Sequence, residues 1–210
     1  GYTTDVLDEA ALKNISAEIL IDRGRLDGLI NAAGGNMPGA TINPDQTVFD
    51  ISTTDLKKVL DLNLMGSVLP SLTFGKIMAD QGSGCIINIS SMASTQAMTR
   101  ILGYSLAKAG IEIFTKWMAM ELSMKFGDKL RVNAIAPGFF IGNQNRKILT
   151  NDDGSYTERG NLVINKTPMG RFGDASELNG TGHYLLSDAS TFVTGTIIPV
   201  DGGFSSFSGV

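Results

Sequence analysis

The order of apolar runs along the chain limits its fold more than any other feature. Four short runs read as strands: Leu26 to Asn31, Cys85 to Ser90, Leu130 to Ile135 and Thr196 to Val200. Longer segments with helical spacing lie between them. Parallel neighbours in a sheet need a crossover of about a dozen residues or more, which a helix provides. Strand and helix in alternation therefore predict an α/β fold with a parallel sheet.

The first helix is expected over about Asp8 to Asp22, with Leu12, Ile15 and Ile19 on one face. Residues 36 to 51 carry Pro38, Gly39, Pro44 and Asp45 and read as a loop. Ser52-Thr53-Thr54-Asp55 has the form of a capping box and opens a long helix to about Asp80, stopped by Gly82-Ser83-Gly84. A further helix runs from Leu102 to about Phe126, where Gly127 stops it, and a last one from Ala175 to Ser187. Phe139 to Gly173 is irregular, with its clearest turn at Asn151-Asp152-Asp153-Gly154. There is no internal repeat and no low-complexity linker, so residues 1–210 are expected to form one domain.

Composition excludes several classes of function. Apolar residues make up 42% and charged residues 18%, which is a globular balance. The net charge is -4 with no basic cluster, so nucleic acid is not an expected partner. No run approaches the roughly 18 apolar residues of a membrane span. The opening Gly1-Tyr2-Thr3-Thr4-Asp5 lacks the basic end and apolar stretch of a signal peptide. One cysteine, Cys85, excludes an internal disulfide and fits a reducing, cytoplasmic setting. Within Cys85-Ile86-Ile87 it reads as a buried structural thiol. No His, Cys and acid cluster has metal-ligand spacing, so no metal is expected. The lone His183 reads as a helix-packing or surface residue, and Trp117, Met118 and Met120 on the Leu102 helix read as helix packing rather than a cofactor box.

Chemistry concentrates in Tyr104-Ser105-Leu106-Ala107-Lys108. Four residues apart on a helix, Tyr104 and Lys108 share one face. A tyrosine of pKa about 10 is a poor acid–base group at neutral pH, and a neighbouring ammonium favours its phenolate. Ser91 lies thirteen residues earlier, at the carboxyl end of a predicted strand, where open α/β sheets hold their ligands. By itself Tyr-x-x-x-Lys also describes many exposed helical pairs. Its company is what makes it specific: Asn31-Ala32-Ala33-Gly34 after a strand, Asn63 within Leu62-Asn63-Leu64-Met65-Gly66, Ser90-Ser91, and Asn133-Ala134-Ile135-Ala136-Pro137-Gly138, in one order.

That set resembles the short-chain dehydrogenase/reductase family, from Asp5 to the C-terminus. The resemblance implies a Rossmann-type doubly wound parallel sheet and NAD or NADP as cofactor. It implies catalytic roles for Asn63, Ser91, Tyr104 and Lys108. In that role set Tyr104 is the acid/base, Ser91 positions the substrate, Lys108 clamps a ribose and Asn63 kinks its helix and holds a relay water. Asp5 and Val6 match the pair that meets the adenine, and Asn31, Ala32, Ala33 and Gly34 the turn beneath the cofactor. Pro137, Gly138 and Phe140 match the stretch beside the nicotinamide, and Asp201-Gly202-Gly203 a structural C-terminal signature. A homotetramer or homodimer is implied as well.

The chain departs from the pattern twice. A dinucleotide-binding sheet opens with a strand, a Gly-rich turn and a helix, whose N–H groups receive the pyrophosphate. That turn has no counterpart in these residues; two strands and two helices, roughly 50 to 70 residues, are expected before it joins the pattern. The NAD or NADP discriminator belongs to that part. Gly142 is the second departure, standing where many members carry a Thr.

Substrate class is carried by polar residues near the catalytic helix. Arg100, Gln144, Asn145 and Arg146 provide the cations and amides that a polyol acid requires. The stretches Ala136 to Gly154, Pro168-Met169-Gly170-Arg171-Phe172-Gly173 and Ser208-Gly209-Val210 resemble bacterial members acting on D-mannonate and D-fructuronate. A gluconate 5-dehydrogenase type is the nearest alternative, and a non-catalytic nucleotide-binding scaffold the alternative of another class.

Overall fold

The computed structural model describes residues 1–142 and 145–209. Four strands, β1 (Gly28–Asn31), β2 (Gly84–Ile89), β3 (Leu130–Pro137) and β4 (Ile197–Val200), form a parallel sheet in the order β1-β2-β3-β4. Helices lie on both faces, as in a Rossmann-type fold. On one face, Met78 and Ala79 of α3 (Gly66–Gln81) and Met118, Ala119 and Leu122 of α4 (Leu102–Phe126) pack on Ile86, Leu130 and Val132. Leu12 of α1 (Glu9–Arg23) packs behind them on Phe74 and Ile77. On the other face, Leu185 of α7 (Glu177–Leu186) meets Cys85, Ile87 and Ile135. Successive residues of β2 thus serve opposite cores, which is why the run is apolar throughout.

Local signals act as the sequence implies. Asp8 caps α1 by accepting from Ala11 N–H at 3.0 Å, and Gly24, at φ 72°, closes it. Ser52 caps α2 (Thr53–Leu60) by accepting from Asp55 N–H, but only half of the expected capping box forms, because the Ser52 N–H donates to Gly39 O at 2.9 Å. Cys85 is buried, and its thiol donates to Leu185 O at 3.1 Å.

Three expectations need correction. The helix expected over 53–80 is not continuous, because a π turn at Asp61–Met65 separates α2 from α3. Asn63 explains the break. Its Nδ2 donates to Val59 O at 2.8 Å, occupying a carbonyl of the preceding helical turn. Second, the irregular region holds two helices, α5 (Arg146–Leu149) and α6 (Glu158–Lys166), the latter capped by Thr157 on Gly160 N–H. Gly160 and Asn161 dilute the helical signal there. Third, Met118 packs in the core as expected, but Trp117 and Met120 are about half exposed. They join Leu106, Ile113 and Met124 in one apolar stripe along the outside of α4.

Candidate active site

Because all four strands are parallel, their carboxyl ends share one edge, and the chain segments leaving β1, β2 and β3 converge there. They border a cleft of about 760 Å³ whose walls include Gly35, Ser91, Tyr104, Pro137, Gly138 and Phe140. Ser91 stands just past β2 and caps a short 3-10 turn, its Oγ accepting from Ala93 N–H at 3.2 Å. Glu112, one turn beyond Lys108 on α4, accepts from Ser90 Oγ at 3.0 Å and from Ser94 Oγ. This carboxylate therefore grips the loop on both sides of Ser91. Nothing in the local sequence marks Glu112, since the contact exists only once α4 lies against the end of β2.

Tyr104 borders the cleft and Lys108 follows one turn along α4, its Nζ 5.4 Å from the Tyr104 ring centroid. Lys108 is 4% exposed and donates to Ile89 O at 2.7 Å. Burial lowers its pKa from 10.5 to about 8. Burial also raises the Tyr104 phenol, while a hydrogen bond with Ser91 lowers it. The phenol is thus shifted away from the direction expected from a neighbouring ammonium. The reason is geometric: Lys108 Nζ lies over the ring and is bonded to a main-chain carbonyl, so burial dominates.

Asn63 is fully buried and clasps the turn after β1, its Nδ2 donating to Gly35 O at 2.7 Å and its Oδ1 accepting from Gly35 N–H at 3.1 Å. A Cβ at Gly34 would lie 2.7 Å from Asn63 Oδ1 and 3.7 Å from Lys108 Nζ, so only glycine lets the turn approach this closely. Ala32 and Ala33 lead into that turn. Asn31 has a structural partner set, donating to Ser71 Oγ at 2.7 Å and Asn88 Oδ1 at 2.8 Å. Val6 packs toward the start of α3, its Cγ2 3.0 Å from where a Gly66 Cβ would be, and Asp5 Oδ1 accepts from Leu7 N–H at 2.9 Å. Gly138 passes against Asp201, where a Cβ would come 2.6 Å from its Cα. Asp201 itself caps the Gly202-Gly203 turn by accepting from Gly203 and Ser205 N–H.

The residues expected to read substrate are placed unequally. Arg100 lines the cleft. It is the one non-glycine at positive φ, 79°, among the described residues, a conformation that its neighbours must hold in place. Ile42 N–H donates to Arg100 O at 3.0 Å, and the guanidinium reaches Ile42 O and Asn43 Oδ1. Asn145 also borders the cleft, but its amide is committed to the loop, accepting from Gly142 N–H and donating to Phe140 O. Arg146 is exposed and outside the cleft walls, and Gln144 lies outside the described residues. Arg159 of α6, not expected from the sequence, does line the cleft. The one signal for it was the Thr157 cap, three residues before Gly160.

These residues suit the ribose half of a dinucleotide. Ile89 O is the one acceptor of Lys108 Nζ among the described residues, leaving two N–H donors of a buried ammonium for a hydroxyl-rich ligand. No group of three or more His, Cys, Asp or Glu able to hold a metal occurs among the described residues.

A family model described as enoyl-(acyl carrier protein) reductase matches residues 2–205. The chain belongs to the short-chain dehydrogenase/reductase family. It is accordingly an NAD(P)-dependent oxidoreductase acting on alcohol or ketone groups. It is 43% identical to the oxidoreductase UxuB of Bacillus subtilis, over 100% of this chain and 78% of that relative. Among solved structures, it is similar to a provisionally assigned D-mannonate oxidoreductase of Haemophilus influenzae with bound NAD. That match has 43% identity and a TM-score of 0.89, covering 100% of this chain and 78% of the other. A gluconate 5-dehydrogenase of Burkholderia cenocepacia in complex with NADP and tartrate is 29% identical with a TM-score of 0.83, over 97% of this chain and 74% of that one. No helix among the described residues is long and apolar enough to cross a membrane.

Proposed function

We propose that this oxidoreductase interconverts the carbonyl and alcohol of a sugar acid, with D-fructuronate and D-mannonate as the pair. The observation that carries the reading is the opening of Arg100 onto the same cleft as the Ser91 and Tyr104 hydroxyls. A cation held at the cost of backbone strain beside acid–base groups fits a substrate that carries both a carbonyl and a carboxylate. The likeness to the Haemophilus influenzae structure supports the same pair. The likeness to the Burkholderia cenocepacia enzyme favours gluconate as the second reading.

In the reductive direction Tyr104 Oη gives its proton to the carbonyl oxygen while Ser91 Oγ donates a hydrogen bond to that oxygen. When bound, the nicotinamide supplies the hydride to the carbonyl carbon, or accepts it in the reverse direction. Lys108 would hold the ribose of the cofactor through its remaining N–H donors, and Asn63 fixes the turn that brings Gly34 against Lys108. The opening of Ser91 and Tyr104 onto one cleft, with Lys108 Nζ 5.4 Å from the Tyr104 ring centroid, argues against a non-catalytic scaffold. Consumption of NADH or NADPH on adding D-fructuronate, followed by absorbance, tests the reading; turnover of neutral ketones alone would sink it.

The apolar stripe on α4 supports a homodimer or homotetramer. Ile113 at 65%, Trp117 at 54% and Met124 at 75% exposure lie along one side of a helix, a surface suited to a second copy across a two-fold axis. Trp117→Glu is expected to lower the mass by light scattering, and an unchanged mass would place the interface elsewhere.

A further inference from the structure

Arg159 stands in the first turn of α6, and Nη1 donates to Thr99 Oγ1 at 3.1 Å, tying that helix to the residue before Arg100. Thr99 is its one hydrogen-bond partner among the described residues, and no carboxylate there lies within ion-pair distance of it or of Arg100. The two arginines are engaged differently. Arg100 donates from Nε to Ile42 O at 2.9 Å and from Nη2 to Asn43 Oδ1 at 3.0 Å, so much of its fork is committed to the 36–51 loop. Arg159 commits one N–H of five.

Burial lowers the pKa of Arg159, and repulsion from Arg100 adds to that effect. An arginine nevertheless stays protonated throughout the working range of pH. Two like charges therefore border one partly desolvated cleft with no acid among the described residues to balance them. Their repulsion is relieved when an anion enters.

We propose that Arg159, assisted by Arg100, is the specificity-determining residue that receives the carboxylate of the substrate. The inference rests on the reading of this cleft as a sugar-acid site. Ser91 and Tyr104 take the reacting oxygen, so the carboxylate at Arg159 is a separate group of the same ligand. The ligand class is then an oxo- or hydroxy-acid with a free carboxylate, in preference to the neutral ketose of the same length. A planar guanidinium with an unengaged edge takes a carboxylate through two parallel hydrogen bonds, which a lysine cannot reproduce.

The test compares Arg159→Gln and Arg159→Lys with the unaltered protein. Steady-state reduction of D-fructuronate and D-fructose is measured, together with calorimetric titration of D-mannonate. Arg159→Gln is expected to weaken D-mannonate binding and raise KM for D-fructuronate roughly 10- to 100-fold, the range of a charged hydrogen bond. The preference for the acid over D-fructose falls with it, and Arg159→Lys recovers part of the loss. Acid preference and D-mannonate binding unchanged in Arg159→Gln would overturn the inference while leaving the sugar-acid reading intact. Equal losses on acid and ketose in both variants would overturn it too, since they point to a structural role. If the unaltered protein reduces D-fructose and neither binds nor reduces the acids, both readings fall.

Discussion

The two walls of the cleft are built by different means. The wall proposed to be catalytic consists of strand ends and the first turns of α4, and its side chains are buried or half-buried and cross-linked. Lys108 holds Ile89 O, Glu112 holds the hydroxyls around Ser91, and Asn63 holds the turn after β1. The wall proposed to recognise substrate includes Arg100 in a strained conformation, Phe140, Asn145 and one end of α6. Its contacts are mostly side chain to main chain within loops. Acid–base groups must be held to within fractions of an ångström, and regular elements do that best. A recognition wall on loops can be rebuilt without disturbing the chemistry, which is how one fold serves many substrates.

The contrast is broken most directly at Tyr104. Tyr104→Phe removes the proton donor and keeps the ring, so kcat is expected to fall about 10²–10⁴-fold, with the circular dichroism spectrum unchanged. Turnover within a few-fold of normal would remove the catalytic wall from the mechanism.

Lys108 gives an intermediate effect with a defined pH window. Its folded pKa, about 8, lies below the ordinary 10.5, so between those values the unfolded chain binds more protons than the folded one. Stability from this group therefore rises with pH across that interval, and below pH 8 the burial penalty is present in full. The drop corresponds to roughly 3 kcal/mol, part of which the bond to Ile89 O offsets. Urea denaturation of Lys108→Met is expected to show its most favourable stability, relative to the unaltered protein, near pH 7. The difference should shift toward the unaltered protein between pH 8 and pH 10. A pH-independent difference would mean that the ammonium is solvated.

The smallest effect is expected at Arg146. It is exposed and borders no part of the cleft, so Arg146→Ala should leave KM for D-fructuronate within about two-fold. A rise as large as that expected for Arg159→Gln would show that α5 closes onto the substrate and would redraw the recognition wall.

Legibility in the sequence follows the same division. The helix Leu102–Phe126 is legible in its extent, because 25 residues of helical pattern end in a glycine. Ser91, Tyr104 and Lys108 are legible because strand end and helical spacing put them on known faces. The kink at Asn63 is implied by the family resemblance but not by the apolar periodicity, in which the competing bond to Val59 O leaves no trace. Arg159 borders the cleft and Arg146 does not, a difference without a local signal, because α5 and α6 are short helices whose direction is set by packing against the rest of the fold.

By itself, the sequence determined the alternation of strand and helix, the two-faced core of β2 and the pairing of Tyr104 with Lys108. Each of these depends on neighbours within a few residues or on a repeating period. Only the tertiary structure decided that Glu112 grips the Ser91 loop, that burial rather than Lys108 governs the Tyr104 phenol, and that Arg159 meets Arg100 across 59 positions of chain. Burial and long-range charge are properties of what surrounds a group in space, and chain order fixes those surroundings only once the elements have packed.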